Sequence, residues 1–170
     1  MLFKESEFII DIRESAKAVT KLMIKIMFVC HGNICRSTMA EYVLKDMVRR
    51  RGLADQFEIA SSATSREEIG SDIHVGTKRK LRQMGIPFEH RQAVQLRNCD
   101  YQNYDHLIAM DHQNVANMLR IIGTDPADKV RLLLDYTGEH SDIADPWYTG
   151  DFDKTYDDVV RGCEALLLLL

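Results

Sequence analysis

Three side chains with complementary chemistry, Cys30, Arg36 and Ser37, lie within one short stretch of the chain. A thiolate at Cys30 would be a nucleophile, and the guanidinium of Arg36 is a planar fork that matches two phosphoryl oxygens. Ser37 can cap a free helix N–H group or donate its hydroxyl to the Cys30 sulfur. The spacing indicates nucleophilic attack on a bound oxyanion, while a cysteine at a strand end is also typical of a small buried hydrophobic residue.

The residues between the thiol and the guanidinium are suited to wrapping an anion. They are His31, Gly32, Asn33, Ile34 and Cys35. The first N–H groups of a helix have no partner within it and carry the positive end of its dipole, so a loop that curls into a helix start presents converging donors. Asparagine tolerates the left-handed backbone conformation, and we expect Asn33 to stabilise the loop by bonding its neighbours.

The elements on either side of this loop can position it. An almost unbroken apolar run from Ile24 to Val29 predicts a strand buried on both faces. From Met39 onward apolar residues recur about every fourth position, which predicts a helix with one buried face that ends near Gly52. The order strand, loop, helix is the context in which such a motif binds phosphate.

The remaining chain continues this alternation of strands and helices. Further strands are predicted at residues 57–60, 106–110 and 130–134, and helices at 75–84, from Asp111 to Leu119 and over the final segment. Asp111 is well placed to cap its helix, a role we favour over a catalytic one. Alternation of this kind implies an α/β fold with a parallel sheet covered on both sides, where ligands bind beyond the carboxyl ends of the strands.

A proton donor for a leaving group is available after the last predicted strand. Pro146 biases Asp145 toward an extended conformation, which holds its carboxyl group in a defined direction. Loops that follow strands return to the same sheet edge as Cys30, so the two groups could meet. By itself, an Asp-Pro pair is more typical of a turn than of a catalytic acid.

The stretch from Val29 to Glu41, V-C-H-G-N-I-C-R-S-T-M-A-E, closely resembles the signature of the low-molecular-weight protein tyrosine phosphatases. The resemblance implies a doubly wound, four-stranded parallel sheet with helices on both faces and the phosphate-binding loop after its first strand. It also implies that Asp145, in an Asp-Pro-aromatic motif, is the general acid. Thr38 stands where the family usually has proline, at a position we interpret as the first of the helix, where proline is dispensable.

The resemblance further implies the mechanism and the surroundings of the site. Cys30 would attack phosphorus, Arg36 and the loop residues from His31 to Ser37 would hold the oxygens, and Asp145 would protonate the leaving phenolate. Family members carry a second cysteine at Cys35 that forms a reversible disulfide with the nucleophile; a simple buried thiol is the alternative. The rim residues would be Glu67, where the family often has an aromatic residue, together with Trp147 and Tyr148, whose rings can pack against a phenyl group.

Three alternative functions are weaker. Arsenate reductases on this scaffold add a closely spaced cysteine pair, whereas Cys99 has no such neighbour and, like Cys163, is interpreted as a core thiol. Arginine phosphatases tend to have threonine where Ile34 stands, and Ile34 favours a flat aromatic substrate. A non-catalytic phosphate-binding module would leave the joint presence of Cys30, Arg36 and Asp145 unexplained.

Composition is ordinary for a globular domain. The 170 residues carry a net charge of −4, so nothing points to nucleic acid, and no apolar stretch predicts a membrane span or a signal peptide. We expect a cytoplasmic monomer or weak homodimer that acts on phosphotyrosine proteins or small aryl phosphates without metal or cofactor. Residues 23–170 would form the phosphatase domain, and residues 1–22 either a helical extension of unknown function or an upstream start.

Overall fold

The computed structural model describes residues 23–170, so both interpretations of residues 1–22 concern a segment outside the described residues. The strands are β1 (Ile24–Cys30), β2 (Phe57–Ala63), β3 (His106–Ala109) and β4 (Val130–Leu132). The α-helices are α1 (Arg36–Arg50), α2 (Val75–Gln83), α3 (Asp100–Asn103), α4 (His112–Ile122), α5 (Pro146–Thr149) and α6 (Phe152–Leu169).

All strand pairs are parallel, in the order β2-β1-β3-β4. The chain leaves β1 toward one edge of the sheet and later returns to β3 on the other side of β1. The crevice at such a reversal lies beyond the carboxyl ends of the central strands, where ligands bind in doubly wound sheets. The predicted four-stranded, doubly wound α/β fold is therefore confirmed, with the loop after β1 at the reversal.

Alternate residues of β1 enter two separate cores. Phe28 and Cys30 pack with α1 and α6 on one face, whereas Met27 and Val29 pack with α4 and β3 on the other. This is the arrangement expected for a central strand covered on both sides. Its burial holds the loop that begins at Cys30 against a rigid support.

One predicted strand is shorter in the structure. The strand predicted at 130–134 stops at Leu132, because residues 133–137 turn into a 3₁₀-helix that packs against α6. Beside β2, residues 90–93 form no strand; the nearest pairing is a single bridge between Ala63 and Gln95. That edge of β2 is instead bonded by loop backbone, with Ala63 N–H donating to Val94 O at 2.7 Å.

The last helix packs across the core as predicted. Val159, Cys163 and Leu166 of α6 are fully buried against α1. None of the helices within residues 23–170 is both long and apolar enough to cross a lipid bilayer.

Candidate active site

The loop from Cys30 to Arg36 is built around one left-handed residue. Asn33 has φ of 58°, a conformation that asparagine adopts more readily than most residues, and it turns its own N–H toward Cys30 Sγ at 3.3 Å. Ser37 Oγ lies 3.1 Å from the same sulfur. The N-cap of α1 is Cys35 and has no side-chain cap, and Ser37 Oγ accepts a hydrogen bond from the Cys30 thiol rather than capping the helix. Thr38 is the third residue of α1 rather than the first, and its hydroxyl donates to Cys35 O at 2.9 Å.

The backbone of this loop offers several donors to a ligand. Among the described residues, none accepts a hydrogen bond from the backbone N–H of Gly32, Ile34 or Cys35. The first turn of α1 adds further N–H groups that have no intrahelical partner and the positive end of the helix dipole. The loop from Cys30 to Arg36 therefore forms a cup of N–H donors, the phosphate cup, that is suited to binding an anion beside the Cys30 sulfur.

Arg36 is the buried cation of the site. Its Nη1 donates to Asp111 Oδ2 at 2.5 Å and to Ile143 O at 3.1 Å, and its Nη2 donates to Asp145 Oδ2 at 2.7 Å. Burial alone would lower the pKa of Arg36, but the negative charges of Cys30, Asp145 and Asp111 more than offset it and raise the pKa. The buried Nε has no hydrogen-bond partner in residues 23–170, so one N–H of the fork is free for a ligand oxygen.

Asp111 has a second role that the sequence did not reveal. Its Oδ1 caps α4 by accepting from Asn114 N–H at 2.5 Å, which confirms the predicted cap, while its Oδ2 holds Arg36. The signal was present in the position of Asp111, because it directly follows the neighbouring parallel strand β3 and so reaches the same sheet edge as the Cys30 loop.

Asp145 reaches the pocket from the far end of the chain. It lies 109 residues from Arg36 in sequence, caps α5 through Trp147 N–H at 3.1 Å, and lines one pocket with Cys30 and Arg36. The carboxyl group remains partly exposed, with 21% of its side-chain surface accessible. The geometry therefore brings a thiol, a guanidinium and a carboxyl group together at one cavity.

A buried polar network supports Asn33 from behind. Arg91 Nη2 donates to Asn33 Oδ1 at 2.8 Å, and its Nη1 donates to Glu41 and to Ser61 Oγ, each at 2.5 Å. Asn33 Nδ2 in turn donates to Ser61 Oγ at 2.8 Å and to Ser37 Oγ at 3.0 Å. Nothing in the spacing of these residues predicted the network, because Arg91 is 58 residues from Asn33.

The rim of the pocket combines charged and aromatic side chains. His31 Nε2 lies 3.0 Å from Glu67 Oε2. Glu68, which was not among the residues predicted from the sequence, lies next to Gly32. Trp147 and Tyr148 also line the pocket and are largely exposed. Every residue predicted for the site lines the pocket except Asn33 and Ser37, which support the loop from within.

The four cysteines of the chain are free and occupy different environments. Cys30, Cys35 and Cys163 are buried, whereas Cys99 is exposed, so its interpretation as a core thiol was wrong. Cys99 is the N-cap residue of the short helix α3. Burial raises the pKa of the Cys35 thiol to about 12, and the neighbouring charge of Cys30 adds to the rise.

Comparison with known proteins gives one consistent family. A family model described as low molecular weight phosphotyrosine protein phosphatase matches residues 25–170. The low molecular weight protein-tyrosine-phosphatase YfkJ of Bacillus subtilis is 37% identical over 147 residues, which cover 85% of this chain and 94% of YfkJ.

Solved structures agree with the sequence comparison. The crystal structure of YfkJ superposes with a TM-score of 0.83, covering 86% of this chain and 93% of that chain at 36% identity. The low molecular weight protein tyrosine phosphatase of Streptococcus pyogenes gives a TM-score of 0.79 at 38% identity, covering 87% and 93% of the two chains. A Drosophila arginine phosphatase gives 0.76 at 29% identity, covering 85% and 95%.

Proposed function

Because the chain belongs to the low molecular weight phosphotyrosine protein phosphatase family, it is a protein tyrosine phosphatase, and we propose that Cys30, Arg36 and Asp145 perform its reaction through a phosphocysteine intermediate. The observation that carries the proposal is the convergence of these three side chains on one pocket. Residues 23–170 would form the phosphatase domain.

In the first step the Cys30 thiolate attacks phosphorus and the bond to the aryl oxygen breaks. The loop N–H groups and the Arg36 fork hold the equatorial oxygens. Ser37 Oγ, which accepts from the Cys30 thiol, would turn its hydroxyl to donate to the sulfur once Cys30 is a thiolate. Asp145 transfers its proton to the departing phenolate. In the second step Asp145 accepts a proton from water as the water attacks phosphorus, the S–P bond breaks and phosphate is released.

Arg36 has to exchange partners during this cycle. Its Nη2 donates to Asp145 before substrate binds, and the incoming phosphoryl group competes for the same fork. General acid catalysis requires Asp145 to carry the proton that it transfers to the leaving oxygen. Asp111 stays in place as the α4 cap and keeps the guanidinium directed at the cup.

Hydrolysis of an aryl phosphate without added metal tests the proposal. Cys30→Ser is expected to abolish turnover but retain vanadate binding, and Asp145→Ala to slow a substrate with a poor leaving group by about 10²–10⁴-fold. Cys99→Ser, at an exposed cysteine outside the pocket, is the matched control and should retain wild-type activity. Turnover by Cys30→Ser would refute the covalent mechanism, and a wild type that binds vanadate without turnover would support a binding module.

The alternatives on the same scaffold receive less support. The named tyrosine phosphatases of Bacillus and Streptococcus are more similar to the chain than the Drosophila arginine phosphatase. For an arsenate reductase, Cys99 and Cys163 would have to act together, but one is exposed before α3 and the other is buried in α6.

Cys35 is proposed to protect Cys30 from overoxidation through a disulfide. The support is their place at the two ends of one short loop, with Cys35 lining the same pocket. Inactivation by peroxide should be reversed by added thiol in the wild type and become irreversible in Cys35→Ser. Equal recovery of both proteins would leave Cys35 as a buried thiol.

The rim is proposed to select basic residues beside the phosphotyrosine. Glu67 exposes 74% of its side chain, and Glu68 lies beside it at the pocket mouth. Glu67→Gln should reduce the preference for a lysine-flanked over a glutamate-flanked phosphotyrosine peptide, most clearly at low ionic strength. An unchanged ratio of the two kcat/KM values would show that Glu67 is a solvated loop residue without influence on peptide selection.

A cytoplasmic location and a monomeric or weakly dimeric state complete the proposal. The four free cysteines support a reducing compartment. Sedimentation at increasing protein concentration tests the oligomeric state.

A further inference from the structure

The aromatic wall of the pocket has little support of its own. Trp147 leaves 56% of its surface exposed, and its neighbour Tyr148 leaves 82%. A side chain with so few contacts can adopt several rotamers, and a wall that stacks on a substrate ring has to hold one of them.

The His74 ring contacts Trp147. The two ring centroids are 5.6 Å apart with an interplanar angle of 68°, an edge-to-face contact. The His74 ring also stacks parallel to Phe152, with centroids 5.3 Å apart and an angle of 3°. The imidazole therefore links Phe152 to Trp147.

The His74 backbone is anchored to the phosphate-binding loop. Its N–H donates to Ile34 O at 2.9 Å, and Phe152 packs against the buried cluster of Ile34, Cys35 and Ala93. The ring itself is fixed by its Nδ1, which caps α2 by accepting from Gly76 N–H at 3.1 Å. The positions of the His74 and Phe152 rings are thus fixed relative to the loop that would bind the phosphate.

Gly76 is required for this stack. A Cβ at position 76 would lie 2.3 Å from the Phe152 ring, a separation that real Cβ contacts do not show. The absence of a side chain lets Phe152 approach α2 and reach the face of His74.

From these contacts we propose that His74 is a positioning residue: it holds the Trp147 indole at the distance from the phosphate cup that a substrate ring requires. The inference rests on the proposed function of the pocket. His74 itself does not line the pocket and touches no reacting atom. Its loss should weaken binding of the aryl group while the chemistry at Cys30 continues.

Two substitutions separate this role from the cap. His74→Asn retains a good N-cap oxygen for Gly76 but removes the ring, whereas His74→Phe retains the ring and removes the acceptor. We expect His74→Asn to raise KM for an aryl phosphate about three- to tenfold with kcat within about twofold of wild type, the pattern of lost uniform binding. His74→Phe should keep a nearly wild-type KM and lower thermal stability.

Trp147 provides a readout that does not depend on activity, because it is the only tryptophan of the chain. Acrylamide should quench its fluorescence more efficiently in His74→Asn than in wild type or His74→Phe. In a Trp147→Ala background, His74→Asn should change KM no further, since the two residues then act through one contact.

The outcomes are distinct. Unchanged KM and quenching in His74→Asn, or an equal KM rise in His74→Phe, would overturn the inference. Circular dichroism verifies folding of each variant, and Phe152→Leu, which removes the ring stacked on His74, substitutes if His74→Asn fails to fold. A wild type without phosphatase activity would instead refute the proposed function, while the quenching measurements would still test the contact.

Discussion

Replacing Arg91 by alanine is expected to destabilise the protein and to weaken catalysis from outside the pocket. The Arg91 side chain is 16% exposed and donates to Glu41, Ser61 and Asn33. Glu41, with 7% of its side chain exposed, would lose its most buried cationic partner. Removing one member of a buried ion pair costs about 3–5 kcal/mol, because the remaining charge is left uncompensated.

The loss of stability in Arg91→Ala should be about 3 kcal/mol, the lower limit of that range. Lys45, whose side chain is 43% exposed, still donates to Glu41 Oε1 at 2.5 Å, and Ser61 still donates to Oε2. A loss of about 3 kcal/mol lowers the melting temperature of a domain of this size by roughly 6–12 °C. Asn33 keeps the bond from Val94 N–H at 3.1 Å, so we expect kcat/KM to fall only about tenfold.

Urea unfolding followed by circular dichroism measures the loss of unfolding free energy in Arg91→Ala. A double-mutant cycle with Glu41→Ala isolates the interaction energy between Arg91 and Glu41. The double variant should be more stable than the sum of the single losses predicts, by about 2 kcal/mol, because it leaves no buried unpaired charge. Arg131→Ala removes an exposed arginine from its pair with the exposed carboxylate of Asp128 and is the control. A cycle with no coupling, or a loss below about 1 kcal/mol for Arg91→Ala, would refute this account of the network.

Two further predictions concern carboxylates. Asp111→Ser retains an N-cap for α4 but not the partner of Arg36, so kcat/KM should fall at least about tenfold. Asp111→Ala loses the cap as well and should be about 1 kcal/mol less stable than Asp111→Ser. Equal activity of Asp111→Ser and wild type would contradict the role of Asp111. Hydrogen bonds from Lys78 and, more weakly, from His90 lower the pKa of Asp72, although burial opposes the shift. The ionised Asp72 therefore stabilises the fold at pH values above its unfolded pKa of about 3.9, and this contribution is lost as the pH falls through the lower folded pKa. The stability difference between wild type and Asp72→Asn, measured by urea unfolding, should therefore shrink as pH falls below about 4; a constant difference would be inconsistent with the lowered pKa.

The sequence by itself determined the order of the elements and the phosphate-binding loop. Local signals were sufficient there: the apolar run of β1, the Cys30 to Arg36 spacing, and Asp111 before an amphipathic helix all act within a few residues. The strand after Lys129 was predicted too long because its apolar residues continue past Leu132, and periodicity cannot separate a strand from a short helix in such a run.

Only the tertiary structure decided what surrounds the loop. Arg91 beneath Asn33, Asp111 on Arg36 and His74 against Trp147 are contacts between segments far apart in the chain. Each of these contacts depends on where a parallel crossover brings a loop back to the sheet edge. The order of residues in a sequence does not give the spatial distance between such segments. The nucleophile and the arginine can be identified from sequence because they share one turn of backbone, whereas the residues that orient them are selected by packing.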